Sequence, residues 1–200
     1  MTFIRTLKSL PLAAATVAVL AAVPLGQGTF FEGGAAFAQE QKQHETRKVP
    51  AMSIAFHKQL EKAQEAMDLE DLATAEEILT EALDSKKIND YERATVWQMR
   101  AIINYQKSDT LGTINAYKNV LRYKDSIPVA QEMQILYYLA QLYFSEDNYE
   151  ESLRYANLWE SQIDPTLIGV THRVFFAQLH YTLQNYERAL EYIYMAINTT

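Results

Sequence analysis

The chain has 200 residues, 48% of them hydrophobic and 22% charged, with a net charge of −7. That is an ordinary soluble composition with room for one or two domains. An acidic balance with no basic run argues against binding nucleic acid or an anionic membrane surface. There is no cysteine, which excludes a disulfide framework and a lipid-anchored start.

In chain order, residues 1–38 differ in kind from the rest. Arg5 and Lys8 give a short positive start, and Leu10 to Leu25 is an apolar run broken by Pro11 and Pro24. Ala36-Phe37-Ala38 has the small-x-small pattern that precedes a cleavage site. This predicts a secretory signal peptide cut at Ala38-Gln39, and a mature protein in the periplasm. The apolar run is shorter than the roughly 18–20 residues a spanning helix needs, and Gly26, Gly28, Gly33 and Gly34 make a poor helix. No membrane insertion is expected after cleavage. Losing Arg5, Lys8 and Glu32 with the signal shifts the net charge from −7 to −8. Residues 39–52, polar up to Pro50, predict a flexible leader.

From Ala51 onward the sequence repeats itself. A small residue recurs at Ala63, Ala101, Ala140 and Ala177, at spacings of 38, 39 and 37, and a second small residue follows each by twelve, at Ala75, Thr113, Ser152 and Ala189. Between the two lie LEDL, SDTL, EDNY and LQNY. The pattern predicts four helical hairpins, near residues 56–89, 94–127, 133–166 and 170–200 of a domain spanning 53–200. Small residues let two antiparallel helices approach closely, and Tyr and Phe fill the wider gaps between hairpins. Asp109 and Asn148 are placed to cap second helices, and Pro128 and Pro165 lie where one hairpin ends and the next begins.

These are the residues of a tetratricopeptide repeat, and the chain resembles that family over residues 53–199. Trp97, Ala101, Tyr117 and Val120 match in the second repeat, Leu136, Leu139, Ala140 and Tyr143 in the third, and Ala177, Tyr186, Ala189 and Ala196 in the fourth. The first rests on Ala63, Ala75, Leu79 and Ala82. Thr113 stands where the family has Ala, and the spacings exceed the roughly 34 residues of the standard unit. The resemblance implies an all-α, right-handed solenoid of about four helix-turn-helix repeats, with the first helices lining the concave surface. Carried over position by position, the partner-binding groove falls at Gln98, Ile102, Tyr105, Gln134, Tyr137, Gln141, Phe144, Val174, Gln178 and Tyr181. Met67 and Gln64 continue two of its columns into the first repeat. The groove is aromatic and amide-rich, without the Lys and Arg that clamp a carboxylate, which suits an extended, largely uncharged peptide.

A narrower resemblance rests on Lys48-Val49-Pro50-Ala51-Met52, on Tyr91-Glu92-Arg93-Ala94 with Trp97 and Arg100, and on LYYLAQLYF from Leu136. It is to the periplasmic tetratricopeptide proteins encoded beside TonB–ExbB–ExbD systems in proteobacteria. It implies a protein-binding scaffold, with TonB- or ExbB-like partners, accessory to outer-membrane transport, and an array that continues beyond residue 200. Its alternatives are a cell-envelope scaffold working with Tol–Pal or peptidoglycan enzymes, and the N-terminal module of a longer enzyme.

Nothing in the sequence composes a catalytic or metal site, and the expectation is a protein that is not an enzyme and needs no cofactor. His172 and His180 lie eight residues apart, too far to share an ion unaided, and no zinc-binding His-Glu pattern occurs. His180 stands at the position of Tyr143 one repeat earlier and reads as a packing residue. No serine sits on a glycine-flanked elbow and there is no glycine-rich phosphate loop. Glu76-Glu77 and Glu150-Glu151 open second helices, where they suit the helix dipole.

Overall fold

The computed structural model describes residues 47–198, so the signal peptide and most of the expected leader lie outside it. The described residues form four antiparallel hairpins with no strand. The helices are α1 (Ile54–Asp68), α2 (Leu72–Asp84), α3 (Asp90–Gln106), α4 (Thr110–Leu121), α5 (Val129–Ser145), α6 (Tyr149–Glu160), α7 (Val170–Thr182) and α8 (Tyr186–Ile197). Short 3₁₀ turns at Lys124–Ser126 and Pro165–Leu167 join the second hairpin to the third and the third to the fourth. Hairpins begin up to four residues earlier than the repeat spacing predicts, because the caps that start α3 and α5 (Asn89 and Pro128) precede the matched residues.

The four turns within hairpins share one geometry. Glu70, Ser108, Asp147 and Gln184 each hold a left-handed backbone with φ of 56–60°. The next residue's N–H then reaches five residues back, as from Asp71 to the Ala66 carbonyl and from Asn185 to that of His180. That same residue caps the following helix. Asp71, Asp109, Asn148 and Asn185 accept from the N–H groups of Thr74, Gly112, Glu151 and Arg188. The cap at Asp109 lies so close that a Cβ on Gly112 would stand 2.2 Å from its Oδ2, so a larger residue there would need the Asp109 side chain to shift.

The small residues sit at the crossings as expected. Ala63, Ala101, Ala140, Ala75, Thr113 and Ser152 are all essentially inaccessible. Ser152 tolerates burial because its hydroxyl donates to the Ala140 carbonyl across the hairpin at 2.7 Å. Helix α3 stands between two cores. Val96, Met99 and Ile103 face the first hairpin, while Ala94 joins a second core running through α5, α6 and α7 to Tyr192.

The end of the expected flexible leader is instead a fixed strap. Arg47 donates to Glu132 at 2.8 Å and to the carbonyls of Ile127 and Lys124. Four residues on, the Ala51 carbonyl accepts from the Asn89 side chain, and the Ser53 N–H donates to Glu92 at 2.7 Å. Residues 47–53 therefore tie the starts of α5, α3 and α1 together. Polarity misleads at this segment because its charged and backbone groups have partners too far away in sequence to be seen there. Glu92 is 1% exposed. Burial raises its pKa, but the N–H groups of Ser53 and Asn89 more than offset this and hold it below the ordinary carboxylate value.

Two predictions follow from this geometry. Ser108→Gly relieves a left-handed non-glycine residue and should raise stability by about 0.5–1 kcal/mol, read as a higher Tm. Arg47→Ala leaves Glu132, 4% exposed, without its cation, and should lower stability by about 1–3 kcal/mol in urea titration.

Candidate protein-binding face

The first helices of the hairpins share one face, and α5 lies at its centre. Its side chains divide by period. Ile135, Leu136, Leu139 and Ala140 are buried, while Gln131, Gln134, Tyr138 and Gln141 recur three to four residues apart and reach solvent wholly or in part. Gln131 donates to Gln98 of α3 at 2.6 Å and so bridges two first helices. Gln134 donates to the Tyr138 hydroxyl at 2.8 Å. Tyr138 packs against Tyr117 of α4 with ring centroids 6.0 Å apart. The Tyr117 hydroxyl is pushed up to about 12, first by burial and then by the neighbouring Tyr138 and Tyr105. Tyr105, Tyr117 and Tyr138 thus form a tyrosine cluster between the second and third repeats.

The ten expected groove positions separate into two groups. Tyr105, Gln134, Val174, Gln178 and Tyr181 are exposed on the first helices, and Gln98 and Gln141 are half-buried beside them. Ile102 packs on the core of the first hairpin, and Met67, expected to extend the aromatic column, is buried in that core. Tyr137 and Phe144 pack between hairpins. Tyr137 lies 5.2 Å from Trp159, 4.9 Å from His172 and 5.6 Å from Phe175, and its hydroxyl is buried without a hydrogen-bond partner. Burial pushes that hydroxyl up to about 12. Phe144 meets Tyr149 and Phe175 edge-on at 5.3 and 5.8 Å. On α5, Gln134 is exposed and Gln131, Tyr138 and Gln141 are half-buried beside it, while the half-buried rings of Tyr137 and Phe144 are taken up between hairpins. The signal that would have found Tyr138 is the run of amides at 131, 134 and 141, one helical face over.

His172 and His180 serve packing and capping. His172 accepts from the Gly169 N–H at 3.1 Å, closing the start of α7, while its ring lies 4.8 Å from Trp159. His180 is buried and stacks on Tyr192 at 5.5 Å. Burial lowers the pKa of both. No group of metal-ligating side chains is gathered among the described residues.

No protein-family model and no curated protein matches the chain. Among solved structures it is similar to the crystal structure of MamA, with a TM-score of 0.53 and 14% identity over 72% of this chain and 77% of that one. The fold is a helical-repeat solenoid of the tetratricopeptide type, as MamA's is.

The exposed and packed groups should separate on mutation. Gln134→Ala with Gln178→Ala should change stability by less than about 0.5 kcal/mol, whereas Tyr137→Ala should lower it by about 3 kcal/mol. The histidines give a pH signature. Both imidazoles are held neutral in the fold, so the unfolded chain takes up protons first as pH falls. Stability should hold above the ordinary imidazole value of about 6.5 and decline from there through the lowered folded values. His172→Gln and His180→Phe should each flatten part of that decline in melts across the range.

Proposed function

We propose that the protein is a non-catalytic scaffold that binds an extended segment of another protein along the first-helix face. The observation that carries this reading is the uncharged stripe of Gln131, Gln134, Tyr138 and Gln141, flanked by the exposed rings of Tyr105 and Tyr181. Amides at this spacing offer donors and acceptors to a peptide backbone, and tyrosines offer rigid apolar surface with little entropy to lose. A fold of the tetratricopeptide type, whose first helices share that face, supports the same reading.

The partner we propose is a component of a TonB-type energy-transduction complex in the periplasm. Its support is the signal-like start at Arg5 to Ala38 and the resemblance at Lys48 to Met52 and Tyr91 to Ala94. An uncharged interface makes a salt-insensitive complex, since screening has few pairs to act on. Affinity capture from envelope extract should recover TonB- or ExbB-like proteins with the wild type, and much less with Gln134→Ala/Tyr138→Ala. Recovery that does not change with the double variant would remove the first-helix face as the binding site. Recovery of other envelope proteins alone would remove the TonB partner and leave the face.

A further inference from the structure

Two rungs cross from α3 to α5 on the first-helix face. At the first, Gln131 donates to the Gln98 side-chain oxygen at 2.6 Å. At the second, Tyr105 and Tyr138 both neighbour Tyr117 of α4, with the Tyr138 and Tyr117 ring centroids 6.0 Å apart. Gln98 and Tyr105 are seven residues apart, and so are Gln131 and Tyr138. The strap holds the starts of both helices on one edge, so the two run in the same direction. Two helical turns therefore separate the rungs, about 10.5 Å along the face. Each rung has a hydrogen-bond donor to spare. Gln98 is bonded through its oxygen, and the Tyr138 hydroxyl accepts from Gln134. Among the described residues this leaves the Gln98 amide N–H groups and the Tyr138 hydroxyl hydrogen without an acceptor. The charges within the span turn elsewhere, Arg100 to Thr80 and Glu76 of α2 and Glu132 to Arg47.

We infer that the segment bound here is proline-rich and is held as a polyproline II helix running along α3 and α5. This rests on the reading of the first-helix face as a peptide site and names the chemistry of the peptide. Polyproline II repeats every three residues and rises about 3.1 Å per residue, so residues i and i+3 lie about 9.3 Å apart on one side. That agrees with the rung separation to about 1 Å. A β-strand covers the same distance in three residues but turns i and i+3 to opposite sides, so it meets one rung only. An α-helix meets both rungs with residues seven apart, but its carbonyls are already bonded within it. The polyproline II backbone keeps its carbonyls free, and proline has no N–H to satisfy. Donors spared at both rungs are what such a backbone needs. A proline ring packs against Tyr105 and Tyr138, and a carbonyl three residues away accepts from Gln98.

The test is fluorescence anisotropy on the protein as the cell produces it, with three labelled, uncharged peptides of equal length. One is proline-rich, one alternates Thr and Val, and one is Ala-rich and helical. The proline-rich peptide is expected to bind most tightly. Gln98→Glu, which replaces the spare donors by acceptors, should weaken it by about fivefold, and Tyr138→Phe, which keeps the ring, by about threefold. Both variants should keep the wild-type Tm. Tyr105→Ala/Tyr138→Ala should cost about tenfold or more. Tighter binding of the helical or the Thr/Val peptide, weakened by the same variants, would overturn the inference and leave the first-helix face as the peptide site. No binding of the proline-rich peptide, or binding indifferent to Tyr105→Ala/Tyr138→Ala, would overturn it too. Whether the face binds a partner at all is decided separately, by the capture from envelope extract.

Discussion

The structure depends on how closely two antiparallel helices can approach within a hairpin. Ala140 against Ser152 shows the constraint in its tightest form, since the serine hydroxyl bonds directly to the alanine carbonyl across the crossing. A larger side chain at either position would hold the axes apart and break that contact. The left-handed residue and Asx cap of each turn serve the same end. They reverse the chain in three residues, so the second helix starts already aligned with the first. Because the crossing is fixed in each hairpin, the gaps between hairpins are fixed too, and aromatic side chains fill them.

That filling decides which groups remain exposed. Between the third and fourth hairpins, Tyr137, Phe144, Trp159, His172 and Phe175 make a continuous set of ring contacts. These rings set the angle between repeats, and the next helical face over carries Gln134, exposed, with Gln131, Tyr138 and Gln141 half-buried beside it. The amides there partly satisfy one another, through Gln131 to Gln98 and Gln134 to Tyr138. A bound backbone would exchange those bonds for its own at small net cost, which suits reversible capture of a segment.

Two buried glutamates hold the array along its edge. Glu92 and Glu132 sit at the starts of first helices and reach the strap at Ser53 and Arg47 respectively. Each acid is compensated by a donor about 40 or 85 residues away in the chain, so the strap adds long-range order to an architecture built mainly from neighbour contacts.

The sequence by itself determined the hairpins, their number among residues 53–198, the crossing residues and the caps at Asp109 and Asn148. Each of these follows from local periodicity, helix capping and the size limit at a close crossing. Five of the ten expected groove positions, from Tyr105 to Tyr181, lie exposed on the first helices. What only the tertiary structure decided was the rotation of α5. Tyr137 and Tyr138 are adjacent, half-buried residues of the same type, and which of them packs between hairpins depends on where Trp159 and Phe175 lie, contacts that helical period alone does not specify. The strap was equally hidden, because Arg47 reads as a solvated charge until Glu132 is seen beside it. Local physics writes the repeat into the chain, whereas the face left exposed depends on packing between repeats.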